Sequence, residues 1–460
     1  MKQTTPKEAL FTSAPVGRAV AALALPTVIS QIITVVYNMA DTYYIGQLND
    51  PDQVAAATVA MPLFMLMTAQ ANLFGVGGSS LISRCLGLKN REKAAHTAAF
   101  CIWTSAAVAL LYGLLALALR PVLLPIFGAD EKTLGYSMSY VLWTVGIGAV
   151  PTVLSAELAH LIRAEGYSRQ ASIGIAFGGV LNMALDPLFI FVFRLEITGA
   201  AIATMLSNVA ALCYFLLFLR KIRRESTITL SPRQYSLGDG IPGEVLAVGL
   251  PSFMISTMAT FSNIMLNKII SADSNEAIAG MGIAKKIDLL AFAIAQGLTQ
   301  GTLPLIGFNY TSGDRRRMMG VIRALLFSCL AISLSGALLL FWEAKPITRL
   351  FIGNAKTVAF GRTYLRILSI ACPTTALNFF CITVFQATGK KLRPVLLTMM
   401  RKGGLDVPLM FVFDRLLGTA GVAWATPVAD AAALAVAAAM LVPYLKKLLG
   451  NAEGVRGRDA

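Results

Sequence analysis

Charge is scarce in this sequence. Asp, Glu, Lys and Arg together make up 14% of 460 residues, about half the share found in an ordinary soluble domain. A large water-soluble core would need a more polar surface than that. Histidine is rarer still, with two residues, and there is no His/Asp metal cluster, no HExxH and no GxSxG. A membrane-embedded enzyme is therefore disfavoured; no catalytic residue and no cofactor is expected. The six cysteines, Cys85, Cys101, Cys213, Cys329, Cys372 and Cys381, sit singly in or beside apolar segments. No CxxC spacing occurs, so neither a zinc site nor a disulfide framework is indicated. The first apolar stretch lacks a compact signal-peptide layout and follows a charged, Thr-rich segment, so no cleavage is expected.

What the chain has in quantity is apolar length. Charged and Pro/Gly-rich breaks separate about twelve segments long enough to span a bilayer. They run 18–45, 54–80, 96–119, 137–163, 170–193, 199–219, then 246–270, 279–304, 319–341, 359–386, 393–413 and 420–444. The fold class expected is an all-α polytopic membrane protein. The net charge is +15, and its placement follows the positive-inside rule. Alternate loops carry Arg84, Lys89, Arg91 and Lys93; Arg163 and Arg169; Arg220, Lys221, Arg223 and Arg224; Arg315 to Arg317; Lys390, Lys391 and Arg393; and Lys446 and Lys447. The intervening loops, such as 47–53 and 271–276, carry no Lys or Arg. Both termini are thus expected in the cytoplasm of a multi-pass plasma-membrane or bacterial inner-membrane protein. Nucleic-acid binding is not needed to explain the charge.

The two halves of the chain resemble each other. Leu25-Pro26 matches Leu250-Pro251, and the same offset sets Asn38 on Asn263. Pro151 matches Pro373 and Gly166 matches Gly389. The run from Thr198 to Thr204 matches Thr419 to Thr426 with one residue inserted. An even number of spans per half gives both halves one orientation, with a V-shaped central cleft between two six-helix bundles. The expected organisation is a cytoplasmic segment 1–17, a bundle 18–219, a cytoplasmic linker 220–245, a bundle 246–445 and a tail 446–460.

One stretch concentrates the chemistry. VLNMALDPLFIFVF, residues 180–193, is spanning in character yet carries Asn182 and Asp186. Positions i and i+4 share a helix face. Pro187 follows at once, removes a backbone donor and loosens the helix beside the carboxylate. An acid inside a membrane helix is costly and commonly serves an ion or substrate path.

The residues around this stretch carry a family likeness. LNMALDPLFI at 181–190, NMADTYYIGQL at 38–48 and LIRAEGYSR at 161–169 resemble the multidrug and toxic compound extrusion family. The likeness covers about 18 to 445. It implies a cation-coupled antiporter exporting organic cations, drugs or other amphiphilic small molecules by alternating access, with proton or sodium as coupling ion. It further implies the branch whose cation site uses an acid on the first span, an Asn-x3-Asp pair on the fifth and a Thr on the sixth. Those positions are Asp41, Asn182, Asp186 and Thr204. The seventh span, Val245 to Ile270, has no carboxylate, which speaks against a sodium site in the C-terminal half.

Topology supports that set independently. Each of the four residues falls within roughly 5–17 Å of the outer surface at the helical rise. Carboxylates and neutral oxygens suit a hard cation such as sodium, and two nearby carboxylates also suit a proton carrier. The alternative is that both acids merely accept structural hydrogen bonds. Tyr37 and Asn38, one turn before Asp41, serve the site or line the cavity. Glu157 is either a second acidic contact for a cationic drug or a partner for His160 or Arg163. Met61, Met65 and Met258 are candidate cavity residues, since thioethers adapt to varied shapes; Met is also common helix filler. Pro26 and Pro187 are candidate hinges.

The eleventh span offers a contrast, with Lys402 and Asp406 near the repeat positions of Asn182 and Asp186. A built-in ammonium would neutralise the carboxylate. This pair, and Lys285 with Asp288, read as structural ion pairs, and Arg401 would need a partner or water. Arg401 and Lys402 also keep open a second reading, a lipid-linked oligosaccharide flippase of the same superfamily, whose cavity cations would hold diphosphate. The expected partners are a small cationic or amphiphilic substrate and the lipid bilayer, with the protein acting as a monomer.

Overall fold

A computed structural model describes residues 6–48, 50–270, 275–352 and 354–456. Residues 1–5 of the expected N-terminal segment, 271–274 of an expected outer loop and 457–460 of the tail lie outside the described residues. The described chain is almost entirely helical. The elements are α1 (Pro6–Thr12), α2 (Val16–Gly46), α3 (Pro51–Gly87), α4 (Arg91–Ile126), α5 (Thr133–Val141), α6 (Ala149–Ala164), α7 (Ser168–Pro187), α8 (Glu196–Lys221), α9 (Ile241–Ile270), α10 (Asn275–Thr311), α11 (Arg315–Trp342), α12 (Ala344–Phe351), α13 (Ala355–Ala387), α14 (Leu392–Thr398), α15 (Asp406–Leu417) and α16 (Thr419–Arg456). Three π-helical turns interrupt them, at Leu142–Ile147, Leu188–Val192 and Met399–Leu405.

Among the described residues nine helices are long and apolar enough to cross a membrane, and the pair spanning 133–147 and 149–164, bent by 50°, makes a tenth. The expected eighth and eleventh spans are helical as well, as α10 and as α14 with its π turn and α15. The first carries Lys285, Lys286 and Asp288 in its first half, and the second carries Arg401, Lys402 and Asp406 near its middle. The eleventh is divided by its π turn into helices of 7 and 12 residues, each too short to count as a span by itself.

Helix starts follow the sequence. Asp50 accepts from the Asp52 amide with Pro51 in the first turn of α3; Asn90, Asp314 and Asn354 cap α4, α11 and α13 with their side chains. These caps satisfy amides that have no partner inside the helix. The repeat glycines mark stops: Gly166 and Gly389 have φ of +89° and +71°, a region a side chain disfavours.

By internal contacts the chain falls into two units, one of Ile29–Thr257 and one of Met1–Val28 with Met258–Ala460. The division falls inside α2, just after Pro26, and inside α9. In the 29–257 unit, α3 packs on α4, α5 and α6, and α6 on α7 and α8. Its core includes Ile82, Leu158, Leu161, Ile162 and Phe215. Helix α9 approaches α3 closely: a Cβ at Gly249 would stand 1.8 Å from the Leu73 carbonyl oxygen, and one at Gly77 would stand 2.1 Å from that of Val245. The segment after α8 is pinned to this unit. Glu165 accepts from the Ser226 hydroxyl at 2.5 Å and from the Thr227 amide and hydroxyl at 2.5 and 2.6 Å. Glu244 pairs with Arg84 and Lys93 at 3.1 Å each.

In the other unit α13 is the central helix, packed on α10, α11 and α16. Its most apolar stretch is 72% buried, against 11% for that of α11. Helix α11 instead leaves Phe327, Leu334, Leu338 and Leu339 exposed. Such a surface suits lipid, because every backbone group is satisfied within the helix. All six cysteines are free thiols, and five of them are buried.

Candidate functional site

The site is built on the 29–257 unit. Helix α7 runs regularly to Pro187 and then loosens into the π turn 188–192. Proline has no amide to donate, so the carbonyl one turn before it loses its helical partner and the helix loosens there. Asp186 stands two residues before the register changes. It is fully buried, and Asn182 one turn earlier is 2% exposed. The Asn182 amide donates to Asp186 Oδ1 at 3.1 Å and to Thr204 Oγ1 on α8 at 3.4 Å. The structure thus brings Asn182, Asp186 and Thr204 together.

Asp41 comes from α2. It is half-buried and within electrostatic reach of Asp186. The Tyr37 hydroxyl, on the same helix, feels both carboxylates. Gly179 makes room for that ring, since a Cβ there would lie 2.8 Å from it. A sixth group joins from the bent α5–α6 span: Tyr140 also lies within electrostatic reach of Asp41, Asp186 and Tyr37. Asn38 is exposed.

The hydrogen bonding leaves a distinctive remainder. Asp41 Oδ1, Asn182 Oδ1 and Asp186 Oδ2 are buried and have no hydrogen-bond partner among the described residues. Buried polar atoms are ordinarily paired, and each such exception calls for an explanation. The donor set is two carboxylates, an amide oxygen and a hydroxyl. It is all oxygen, as hard cations prefer, and the same carboxylates can take protons instead. Among the described residues no group of three or more His, Cys, Asp and Glu is arranged to hold a metal ion.

The remaining candidates are placed as follows. Glu157 is fully buried and accepts from the Ser105 hydroxyl of α4, whose carbonyl in turn accepts from Gln70 at 2.8 Å. Of the two readings, a drug contact or a partner for His160 or Arg163, the second finds no bond to either residue among the described residues; the bond found is to Ser105. Met61 is 51% exposed on α3, and Met65 on the same helix is half-buried. Met67, one of the neighbouring methionines, is core. Met258 belongs to the other unit, beside Gly403.

In that unit Lys402 contacts Asp406 at 3.2 Å, as its spacing suggests. Arg401 finds its partner in Asp430, with Nε at 2.5 Å and Nη2 at 2.9 Å, and stacks over the Phe379 ring. Thr375 donates to the same carboxylate. Lys285 and Asp288 form no direct contact among the described residues and interact only at electrostatic range. Spacing of i and i+3 brings side chains near but does not fix their rotamers.

Among the described residues, nine or ten helices long and apolar enough to span a bilayer, several of them holding buried ionisable side chains, define a polytopic membrane protein with a polar path inside it. A family model described as MatE matches residues 26–188 and again 249–412. The chain belongs to the MatE family, and the double match falls on its two repeat halves. It is 29% identical to the multidrug export protein MepA of Staphylococcus aureus (strain MRSA252) over 435 residues, 95% of each chain. It is similar in fold to a MATE solved in complex with MaD3S, with a TM-score of 0.89 and 24% identity over 97% of this chain and 100% of that one. An outward-facing multidrug resistance MATE family transporter of the MOP superfamily gives a TM-score of 0.87 at 25% identity, over 97% and 100%.

Proposed function

We propose that this protein is a cation-coupled antiporter that exports cationic or amphiphilic small molecules from the cytoplasm, and that Asp41, Asn182, Asp186 and Thr204 hold the coupling ion, proton or sodium. The observation that carries the reading is the set of unpartnered buried oxygens on Asp41, Asn182 and Asp186. Two carboxylates in electrostatic contact, with oxygen atoms left over, gain most from a cation between or upon them. Removing that ion restores repulsion between α2 and α7, and Pro26 and Pro187 let those helices respond. Ion and drug then oppose each other through conformation, each weakening the other's binding by one factor. The name of the Staphylococcus relative supports drugs as the exported class. The two repeat halves, 18–219 and 246–445, are the bundles that alternate access, and both termini face the cytoplasm.

The flippase reading depended on free cavity cations, and Arg401 and Lys402 are both paired with carboxylates. Efflux of a cationic dye from cells, with and without an imposed proton or sodium gradient, tests the proposal. Gradient-dependent dye loss is expected. Dye retention under every gradient would reject it.

A further inference from the structure

The C-terminal half contains a second copy of the Asn182 cluster, differently furnished. The repeat sets Lys402 against Asn182, Asp406 against Asp186 and Thr426 against Thr204, and its earlier offset sets Ser262 against Tyr37. The geometry repeats too. Asn182 reaches Asp186 at 3.1 Å across one turn, and Lys402 reaches Asp406 at 3.2 Å across one turn. Thr204 joins Asn182 at 3.4 Å, and Thr426 donates to Asp406 Oδ1 at 3.0 Å. The Ser262 hydroxyl donates to Asp406 Oδ2 at 2.7 Å. A π turn adjoins the aspartate in both halves, after it in one and before it in the other.

The main differences concern charge. The offset that carries Asn38 to Asn263 carries Asp41 to Leu266, a buried apolar residue. The first cluster therefore has two carboxylates and no cation, and the second has one carboxylate and one ammonium. Asp186 keeps an unpartnered oxygen, whereas both oxygens of Asp406 are occupied, one by Thr426 and one by Ser262 and Lys402. The neighbouring position shows the same shift. Asn208, bonded to Thr152 at 2.9 Å, corresponds to Asp430, which is neutralised by Arg401. The remaining charges close by, Lys285 and Asp288, balance each other.

Resting on the proposed ion site, we infer that the Lys402 ammonium is a tethered cation: it takes, in the C-terminal half, the place that the coupling ion takes in the N-terminal half. That half is then permanently loaded, and coupling passes through one site per chain. Lys402 is the residue that excludes a second ion.

The test is equilibrium binding of radiolabelled sodium, with proton uptake followed by a pH indicator, on purified full-length protein. Asp186→Asn is expected to weaken ion binding by about tenfold or more. Adding Lys402→Asn should create a new cation response, because Asp406 is left bare beside Ser262 and Thr426. Adding Asp406→Asn to that double variant should abolish the response, and Asp186→Asn with Lys402→Arg should show none. Lys402→Gln replaces the Asn variant should the latter aggregate. The reciprocal Asn182→Lys should lose ion binding in an otherwise wild-type chain. If Asp186→Asn loses its ion and Lys402→Asn or Lys402→Gln gains nothing, the tethered-cation inference is wrong. If Asp186→Asn binds ion as the wild type does, the proposed site itself fails, whatever Lys402 does.

Discussion

At the scale of single residues, the argument turns on which buried polar atoms are paired. Asp41 and Asp186 leave oxygens unpartnered, so removing either charge should remove the reason for an ion to bind. Asp41→Asn and Asp186→Asn are expected to insert normally and to lose gradient-driven export by about tenfold or more, judged against the coupling factors such linkage supplies. Flow-cytometric dye efflux at matched expression measures this. Lys402 makes the opposite case. Lys402→Ala strands the Asp406 carboxylate, at a cost of about 3–5 kcal/mol, while Lys402→Ala with Asp406→Ala strands nothing. The single variant should therefore melt at a lower temperature than the double; equal melting temperatures would show that the two residues act independently. Local pairs of this kind were legible in the sequence, since Asn182 with Asp186 and Lys402 with Asp406 are one turn apart. Partners on other helices were not. Asp430 was passed over as the mate of Arg401, and Ser105 as that of Glu157, because nothing local marks a contact between distant segments. Tyr140 was missed for the same reason: it meets the carboxylates from a different span.

At the scale of elements, prolines and glycines do the shaping. Pro26 and Pro187 were readable as interruptions, but the π turns beside Asp186 and Asp406 were not, since no residue pattern announces a change of helical register. Pro26 lies just before the point where α2 passes from one unit to the other. A proline leaves a carbonyl unpaired and makes a bend available. Pro26→Ala is expected to bind drug with near-normal affinity while that affinity no longer varies with ion concentration; a titration of purified protein across pH and sodium measures it. Unchanged ion dependence would remove the bend from the coupling scheme and leave the carboxylates in it. Gly249 tests packing alone. Its missing side chain admits the Leu73 carbonyl of α3, so Gly249→Val should destabilise the protein by about 1–3 kcal/mol through overpacking. Gly17→Ala, with nothing within 4 Å of the added carbon, is the control and should leave the melting temperature unchanged or slightly raised.

At the scale of the whole molecule, the internal repeat explains most of what was visible in advance. Paired prolines, glycines and threonines located both halves, and the family model finds those halves separately. Two helices carry buried charges; Lys402 finds Asp406 one turn away on its own span, while Arg401 is matched only by Asp430 on a distant helix. The repeat also reveals an asymmetry of charge between the halves. One half keeps carboxylates with spare oxygens, and the other fills the same position with its own lysine. The central claim is that the Asp41–Asp186 cluster is where the coupling ion binds. The most direct test is drug efflux from proteoliposomes holding purified protein, driven by an imposed proton or sodium gradient, with wild type and Asp186→Asn compared side by side. The account predicts that one of the two gradients accelerates efflux in the wild type and that neither does so in Asp186→Asn. Undiminished gradient-driven efflux in Asp186→Asn would contradict it.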